Sequence, residues 1–501
     1  MEILQHLALG FGVAFTPTNV LYCLAGATLG TIVGVLPGLG PVTTIAMLLP
    51  FTFKLPAIGS LIMLAGIYYG AHHAGSTTAI MLNMPGEPTS VVICLDGHPM
   101  ARKGRAGAAL FVAAIGSFFA GCVSVVVIAT LSPPLAAAAL LIGPPEYTSM
   151  IVMALVMSAV LSSQSLLCTI AMAVLGVLLG CAGTDLTSGT LRYTFGFDEL
   201  SDGISFIAVA TGLFAFAEMI HHLGATSAHG TPVAAPRGLL PTRAEMAASW
   251  APILRGTALG GALGVLPGTG PLLASFASYA MEKQIARDPS RFGQGAIEGV
   301  AGPEAANNAS AMTHFIPMLT LGIPAGAAMA LMLGALTIQG INPGPRVMTE
   351  HADLFWGVVA SMWIGNMMLL VLNLPLVGLW VKLLTTPYRL LYPAILMFCC
   401  IGVYSVSSAR FDVMLAAVAG LAGVVFRMLD CPPAPLVLGL VLGPLLEDNL
   451  RRSLLLSRGD PTVFVTQPVS LVMLLLTLAL AALFTWSRKR QGRRLAGLEV
   501  F

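Results

Sequence analysis

The sequence predicts an all-α polytopic membrane protein made of two inverted-topology repeats, with re-entrant or broken helices and roughly 10–12 transmembrane segments. Three observations predict it. First, 56% of the 501 residues are hydrophobic and only 9% are charged, with a mean hydropathy of +0.88. A soluble domain carries about 25% charged residues, and no soluble fold hides this much apolar surface. Second, apolar stretches long enough to cross a hydrocarbon core recur along the chain. Third, a Pro-Gly motif occurs once in each half.

The apolar stretches include residues 106–131, 147–161, 166–181, 204–221 and 354–374, each close to the length a bilayer core demands. Residues 1–16 contain no Lys or Arg, so a cleaved secretory signal is not expected and the first apolar segments are expected to remain. The eight cysteines (Cys23, Cys94, Cys122, Cys168, Cys181, Cys399, Cys400 and Cys431) lie in or beside apolar segments, without CxxC or metal-ligand spacing. Their expected role is packing. The chain has no Walker lysine loop, HExxH or GxSxG. An enzyme, a bound cofactor and a nucleic-acid partner are therefore not expected.

The repeat is explicit. Residues 30–41 read GTIVGVLPGLGP and residues 260–271 read GGALGVLPGTGP, identical at eight of twelve positions and 230 positions apart. Some forty residues after each copy comes a small polar segment ending in a Pro. In the first half it runs from Gly75-Ser76-Thr77-Thr78 to Asn83-Met84-Pro85-Gly86. In the second it runs from Glu304-Ala305-Ala306-Asn307-Asn308 to Gly322-Ile323-Pro324-Ala325.

Lys and Arg mark the cytoplasmic ends of short membrane loops. Arg488, Lys489, Arg490, Arg493 and Arg494 place the C-terminus inside. Walking back from there puts residues 184–203, with four acids against Arg192, outside, and the 222–250 segment inside. The domain assignment follows: residues 1–230 form the N-terminal repeat, 231–250 a cytoplasmic connector, 251–487 the C-terminal repeat and final spans, and 488–501 a basic cytoplasmic tail. Arg243, Arg255, Lys283, Arg287 and Arg291 flank the second Pro-Gly motif, but only Lys54 lies near the first. Arg102, Lys103 and Arg105 follow the first polar segment, against Arg346 alone after the second. Opposite biases in matching places predict inverted halves. A loop at 447–460, carrying Arg451, Arg452 and Arg458, falls outside on this walk.

The Pro-Gly motifs point to a site. Residues 256–266 and 272–282 are each about eleven residues, or roughly 17 Å of helix, half a bilayer core. They read as the arms of a re-entrant hairpin with residues 267–271 at its tip. Pro removes donors and Gly permits tight reversal, and non-helical backbone at membrane depth survives only inside protein or against a wet cavity. Two such tips resemble the broken helices of secondary transporters, whose half-helix N-termini face anionic groups. The expected substrate contacts are Pro37, Gly38 and Gly40 of one tip and Pro267, Gly268 and Gly270 of the other, with Ser76, Thr77, Thr78, Asn83, Asn307 and Asn308. The expected ion ligands are Glu304, Asn307, Ser310 and Thr313. Glu87, Glu304, His72 and His73 are ionisable groups inside apolar sequence, which are functional candidates by default.

Plainer readings stand beside these. Gly30, Gly34, Gly260 and Gly264 also fit close helix packing of the small-xxx-small kind. The tips also fit turns at the membrane surface. Glu304 also fits a helix cap after Pro303, His72 and His73 fit either proton sites or satisfied bundle histidines, and His221-His222 reads as an interfacial anchor.

Along almost its whole length the chain resembles the large permease subunit of the tripartite tricarboxylate transporter family. The resemblance rests on GVLPGLGP at 34–41, LNMPGEP at 82–88, DGHPMARKG at 96–104, PEAANNA at 303–309 and TLGIP at 320–324, in this order and spacing. It implies a bacterial inner-membrane permease that works with a small four-span membrane subunit and a periplasmic solute-binding protein. It further implies uptake of di- or tricarboxylates or related organic anions, driven by a Na+ or H+ gradient, with no cofactor. Two stretches depart from the family pattern: Ala-His-His-Ala at 71–74 and Met-Thr-His at 312–314. They leave the substrate and the coupling ion open. The competing reading is an anion channel or a structural membrane subunit without a coupled cycle.

Overall fold

The structure is a computed structural model that describes residues 2–36, 40–161, 164–185, 188–224, 238–266, 270–383 and 388–496. These residues are helical almost throughout; the strands described are the two of a short ribbon, Gly183–Thr184 paired antiparallel with Leu191–Arg192. Among the described residues four helices are long and apolar enough to cross a membrane: Pro17–Val35, Pro88–Ala139, Ala352–Asn373 and Arg410–Met428. Shorter apolar helices of 10–17 residues accompany them, such as Pro41–Thr52 and Ala327–Ile338. The chain is an all-α polytopic membrane protein.

Its contacts divide it into two compact units, Met1–Ala137 with Ile207–Val424, and Ala138–Phe206 with Val425–Phe501. The larger unit holds both copies of the Pro-Gly motif. In each copy two arm helices flank the tip and a third helix backs them: Pro17–Val35, Pro41–Thr52 and Ala57–Leu82 in the first, Arg243–Gly264, Gly270–Ile285 and Glu298–Thr313 in the second. Pro17 and Pro41 occupy the first helical turn, where a missing N–H costs nothing. The backing helices are buried on nearly every side.

The arms are unequal, which corrects the expected pair of eleven-residue half-helices. In the second copy they have 22 and 16 residues, roughly 33 and 24 Å at 1.5 Å per residue. In the first copy they have 19 and 12. The long arm is long because it lies against its backing helix through glycines. A Cβ on Gly26, Gly30 or Gly34 would collide with the backbone of Met63, Ile67 or Ala71. A Cβ on Gly256, Gly260 or Gly264 would collide with that of Gly302, Ala306 or Ser310. The two triplets stand 230 positions apart, the spacing of the motif itself, so the close-packing reading of these glycines holds.

A second register relates the ends of the backing segments. The helix Ala57–Leu82 stops at Asn83 (φ 56°), and the short helix Phe315–Leu321 stops at Gly322 (φ 69°), both left-handed. Asn83 and Gly322 are 239 positions apart, as are Ala71 and Ser310, the partners of Gly34 and Gly264. In each copy a Pro follows two residues later, then an extended residue, Glu87 (φ −145°) or Gly326 (φ −174°), from which the next helix starts.

Asp96, Lys103 and Arg105 tie the two copies together. The buried Asp96 carboxylate accepts backbone N–H bonds from Gly293 (2.9 Å), Gly295 (2.7 Å) and Ala296 (2.8 Å), and the Tyr279 hydroxyl (2.9 Å). Lys103 donates to the Gln294 carbonyl at 2.6 Å, and Arg105 Nε to Glu245 at 2.8 Å. Glu245 completes a capping box with Thr242. Burial pushes its carboxyl up, but the bonds from Thr242 and Arg105 more than offset this and hold it below the ordinary range.

In the smaller unit the helices Leu166–Gly180 and Pro433–Leu456 pack through Gly176 and Gly439, each facing the other's backbone. Residues 447–456, expected as loop, continue the second of these helices. The pairs Glu447–Arg451 (2.7 Å) and Asp448–Arg452 (2.9 Å) stand one turn apart and favour helix. Arg451 also grips Asp185 (2.8 Å) and Glu447 grips Arg192 (2.6 Å), which pins the ribbon. The side chains of the basic tail and residues 225–237, which include 231–237 of the expected connector, lie outside the described residues; residues 243–250 of that connector belong to the helix Arg243–Gly264.

Candidate substrate and ion site

Glu87 and Glu304 are buried in the larger unit, and each receives donors from the other half of the sequence. Glu304 sits in the seventh position of Glu298–Thr313 and is 1% exposed. Its oxygens accept the hydroxyls of Ser76 and Ser117 (2.8 Å), and the Asn308 amide at 3.0 Å. Asn308 also donates to Ser117 (2.7 Å). Glu304 is therefore no helix cap: Ile297 holds that place.

Glu87, on the extended residue after the helix break, is 4% exposed. Its Oε1 is 2.6 Å from His72 Nδ1, takes the Thr89 hydroxyl, and takes the Asn307 amide at 3.4 Å. The Tyr68 ring meets His72 edge-on with centroids 4.6 Å apart. Its hydroxyl lies 3.3 Å from His314 Nδ1. The two stretches that depart from the family pattern thus meet through Tyr68. Among the described residues no Lys or Arg bonds either carboxylate.

Five buried polar atoms around these groups have no partner: His72 Nε2, His73 Nε2, Asn307 Oδ1, Ser310 Oγ and His314 Nε2. Each such atom costs about 1–3 kcal/mol if left unpaired, so hydrogen-bonding capacity is left over beside the two carboxylates. The reading of His72 and His73 as fully satisfied bundle histidines does not hold.

The expected contacts divide. Ser76, Asn307 and Asn308 join the carboxylates, Glu304 is one of them, and Ser310 offers a free hydroxyl. Thr77 is buried beside Ser76. Thr78 and Thr313 are buried, but their hydroxyls bond backbone carbonyls of Gly75 (2.8 Å) and Ala309 (3.0 Å), as hydroxyls in apolar helices do. Asn83 is exposed, because its residue turns left-handed to end the helix and carries the side chain away from the cluster. Gly40 and Gly270 stand at the N-termini of Pro41–Thr52 and Gly270–Ile285. Pro37, Gly38, Pro267 and Gly268 lie outside the described residues.

Sequence reasoning missed Ser117, Tyr68 and Thr89. A lone hydroxyl in the apolar run 106–131 gives no signal, and His314 is marked only by its departure from the family pattern. A separate cavity of about 710 Å³ is lined by Leu7, Phe11, Phe118, Trp363, Met367 and other apolar side chains. It has nothing to hold an organic anion.

Residues 20–438 match the family described as "Tripartite tricarboxylate transporter TctA family". An uncharacterised 52.8 kDa protein of the TAR-I ttuC' 3' region of Agrobacterium vitis is 54% identical over 479 residues, covering 96% of this chain and 95% of that protein. A second Agrobacterium vitis protein, from the TAR-II ttuC' 3' region, is 60% identical over 215 residues, covering 43% of this chain and 89% of its own length. No solved structure matches. The chain belongs to the tripartite tricarboxylate transporter TctA family.

Proposed function

We propose that this chain is the large permease subunit of a secondary transporter that imports di- or tricarboxylates or related organic anions. In this reading it works in the bacterial inner membrane with a small four-span subunit and a periplasmic solute-binding protein, and its C-terminus is cytoplasmic. It is a transporter with no bound cofactor and no enzymatic step.

One observation carries the reading. Glu87 and Glu304 are buried and, among the described residues, have no Lys or Arg bonded to them, inside a shell of amides, hydroxyls and imidazoles with unspent hydrogen-bonding capacity. Burying an unpaired carboxylate costs several kcal/mol, so the site calls for a cation. An anionic substrate adds to that demand. A site that takes an anion and a cation together is what ion-coupled uptake requires, with Na+ or H+ as the cation. The expected ion ligands Glu304, Asn307 and Ser310 and the glycines of the two tips complete this reading. Gly40 and Gly270 would turn helix N-termini to the anion.

The halves are read as inverted, and the contacts of Lys103 with Gln294 and of Arg105 with Glu245 support this. They gather the basic residues after the first polar segment with those around the second hairpin, on the side the charge rule assigns to the cytoplasm. Access would alternate as one element moves against the rest.

The test is uptake of radiolabelled malonate, succinate and citrate by membrane vesicles from cells producing the complete system. Asn307→Ala is expected to lower uptake of the transported acid at least tenfold, and Asn308→Ala to do so through loss of the Glu304 contact. Unchanged uptake in both variants refutes the site. Uptake that shows neither gradient dependence nor counterflow refutes the coupled cycle in favour of a channel.

A further inference from the structure

We infer that the His72–Glu87 pair binds the coupling proton and presents it to the organic anion as an Nε2–H donor. The inference rests on the transporter reading above and names its coupling ion.

The geometry assigns the two nitrogens of His72 different tasks. Nδ1 lies 2.6 Å from Glu87 Oε1, hydrogen-bond distance, so one proton shared between them spends that position. Nε2 is buried and has no partner. With one proton in the pair, Nε2 is a bare lone pair and the pair is anionic. A substrate carboxylate is then repelled. When a second proton arrives from water it resides on Nε2, the pair becomes neutral overall, and Nε2–H donates to the carboxylate. Proton and anion then favour each other's binding by the same factor, as linkage requires, and leave together on the other side.

The surroundings fit a proton better than a metal ion. Glu87 Oε1 already takes His72, Thr89 and Asn307, which leaves that oxygen little capacity for a metal. Among the described residues no group of three or more His, Cys, Asp or Glu is placed to hold a metal ion. The titratable groups facing His72 are few: Glu87 beyond the break, Tyr68 and His73 on its own helix, and His314 from the other half, reached through the Tyr68 hydroxyl. Glu304 is the next carboxylate, held by Ser76, Ser117 and Asn308. Tyr69, the remaining titratable group buried in this stretch, turns to Cys23 at 3.5 Å. None of these supplies a fixed positive charge that would take the proton's place.

The test uses the complete system in right-side-out vesicles, the membrane potential clamped, with labelled malonate, succinate and citrate as probes. One proton per substrate lets an inward gradient of two pH units sustain roughly 100-fold accumulation, since each pH unit is tenfold. Wild type is expected to accumulate its acid under this gradient without sodium. His72→Gln and Glu87→Gln are expected to lose accumulation, to about unity. His351→Gln, a histidine outside the site, is expected to behave as wild type. Wild-type accumulation that needs sodium and ignores the pH gradient overturns the inference and leaves the transporter reading intact. Full proton-driven accumulation in either glutamine variant overturns it too. Should one variant fail to reach the membrane, the other and the wild-type gradient dependence decide. If no acid accumulates or exchanges under any gradient, the transporter reading falls and this inference with it.

Discussion

The buried Asp96 gives the sharpest prediction about the scaffold. Its Oδ1 accepts three backbone N–H groups from the segment just ahead of Glu298–Thr313, the helix that carries Glu304. In Asp96→Ala all three lose their partner. Gly293 is exposed and finds water, Gly295 is half-buried, and Ala296 is 3% exposed and finds none. One orphaned donor at full cost, one at part cost and a small void come to about 3 kcal/mol. Asp96→Asn keeps an oxygen toward the amides and turns its NH2 to the Tyr279 hydroxyl, which rotates to accept. It loses only the charge assistance, about 1 kcal/mol. The readout is hydrogen–deuterium exchange of peptides spanning 293–300 in the purified protein. Since local opening sets exchange and 1.4 kcal/mol is tenfold, Asp96→Ala is expected to speed it about 100-fold and Asp96→Asn about fivefold. Equal exchange in wild type and Asp96→Ala, or no difference between the two variants, would show that the carboxylate does not hold this segment.

Neighbouring glycines of the long second arm are expected to respond with opposite sign. Gly260→Ala drives a Cβ into the backbone of Ala306 and is expected to cost about 1–3 kcal/mol, whereas a Cβ on Gly261 meets nothing within 4 Å and Gly261→Ala gains up to about 1 kcal/mol of helix propensity. Thermal denaturation in detergent checks both, and a fall in stability for the two alike refutes the packing assignment. In the smaller unit, Arg451→Gln removes the grip on Asp185 and is expected to raise exchange across residues 183–203. Arg452→Gln, whose Asp448 partner is itself exposed, is expected to leave that exchange unchanged.

The class of the protein was legible because composition alone decides between water and lipid. So was the repeat, since the same helix contacts need glycine at the same spacing twice. Side-chain roles were harder to read, and Asn83 shows why. It looked like an amide for a substrate, yet its place in the repeat is that of Gly322. What the position requires is a left-handed backbone, which Asn tolerates better than most residues. Thr78 and Thr313 misled in a related way: their hydroxyls serve the backbone of their own helices. Glu87 and Glu304 were visible as ionisable groups in apolar sequence. That Ser76 reaches one and Asn307 the other depends on a fold that brings residues more than two hundred positions apart into contact.

The two registers of the repeat show what duplication preserved and what it did not. At an offset of 239, Ala71 answers to Ser310, Glu87 to Gly326, and Ala65 to Glu304. The backbone events match while the chemistry does not: one half carries its carboxylate at the break, the other on the backing helix. Two symmetric copies would have produced two equivalent half-sites. Instead Ser76 of the first half completes Glu304 of the second, and Asn307 of the second completes Glu87 of the first. Each buried carboxylate takes donors from both halves. The scaffold is therefore paired and the site is single, so in the proposed cycle one anion with its proton would be handed across by a framework whose two faces are alike in backbone but not in charge.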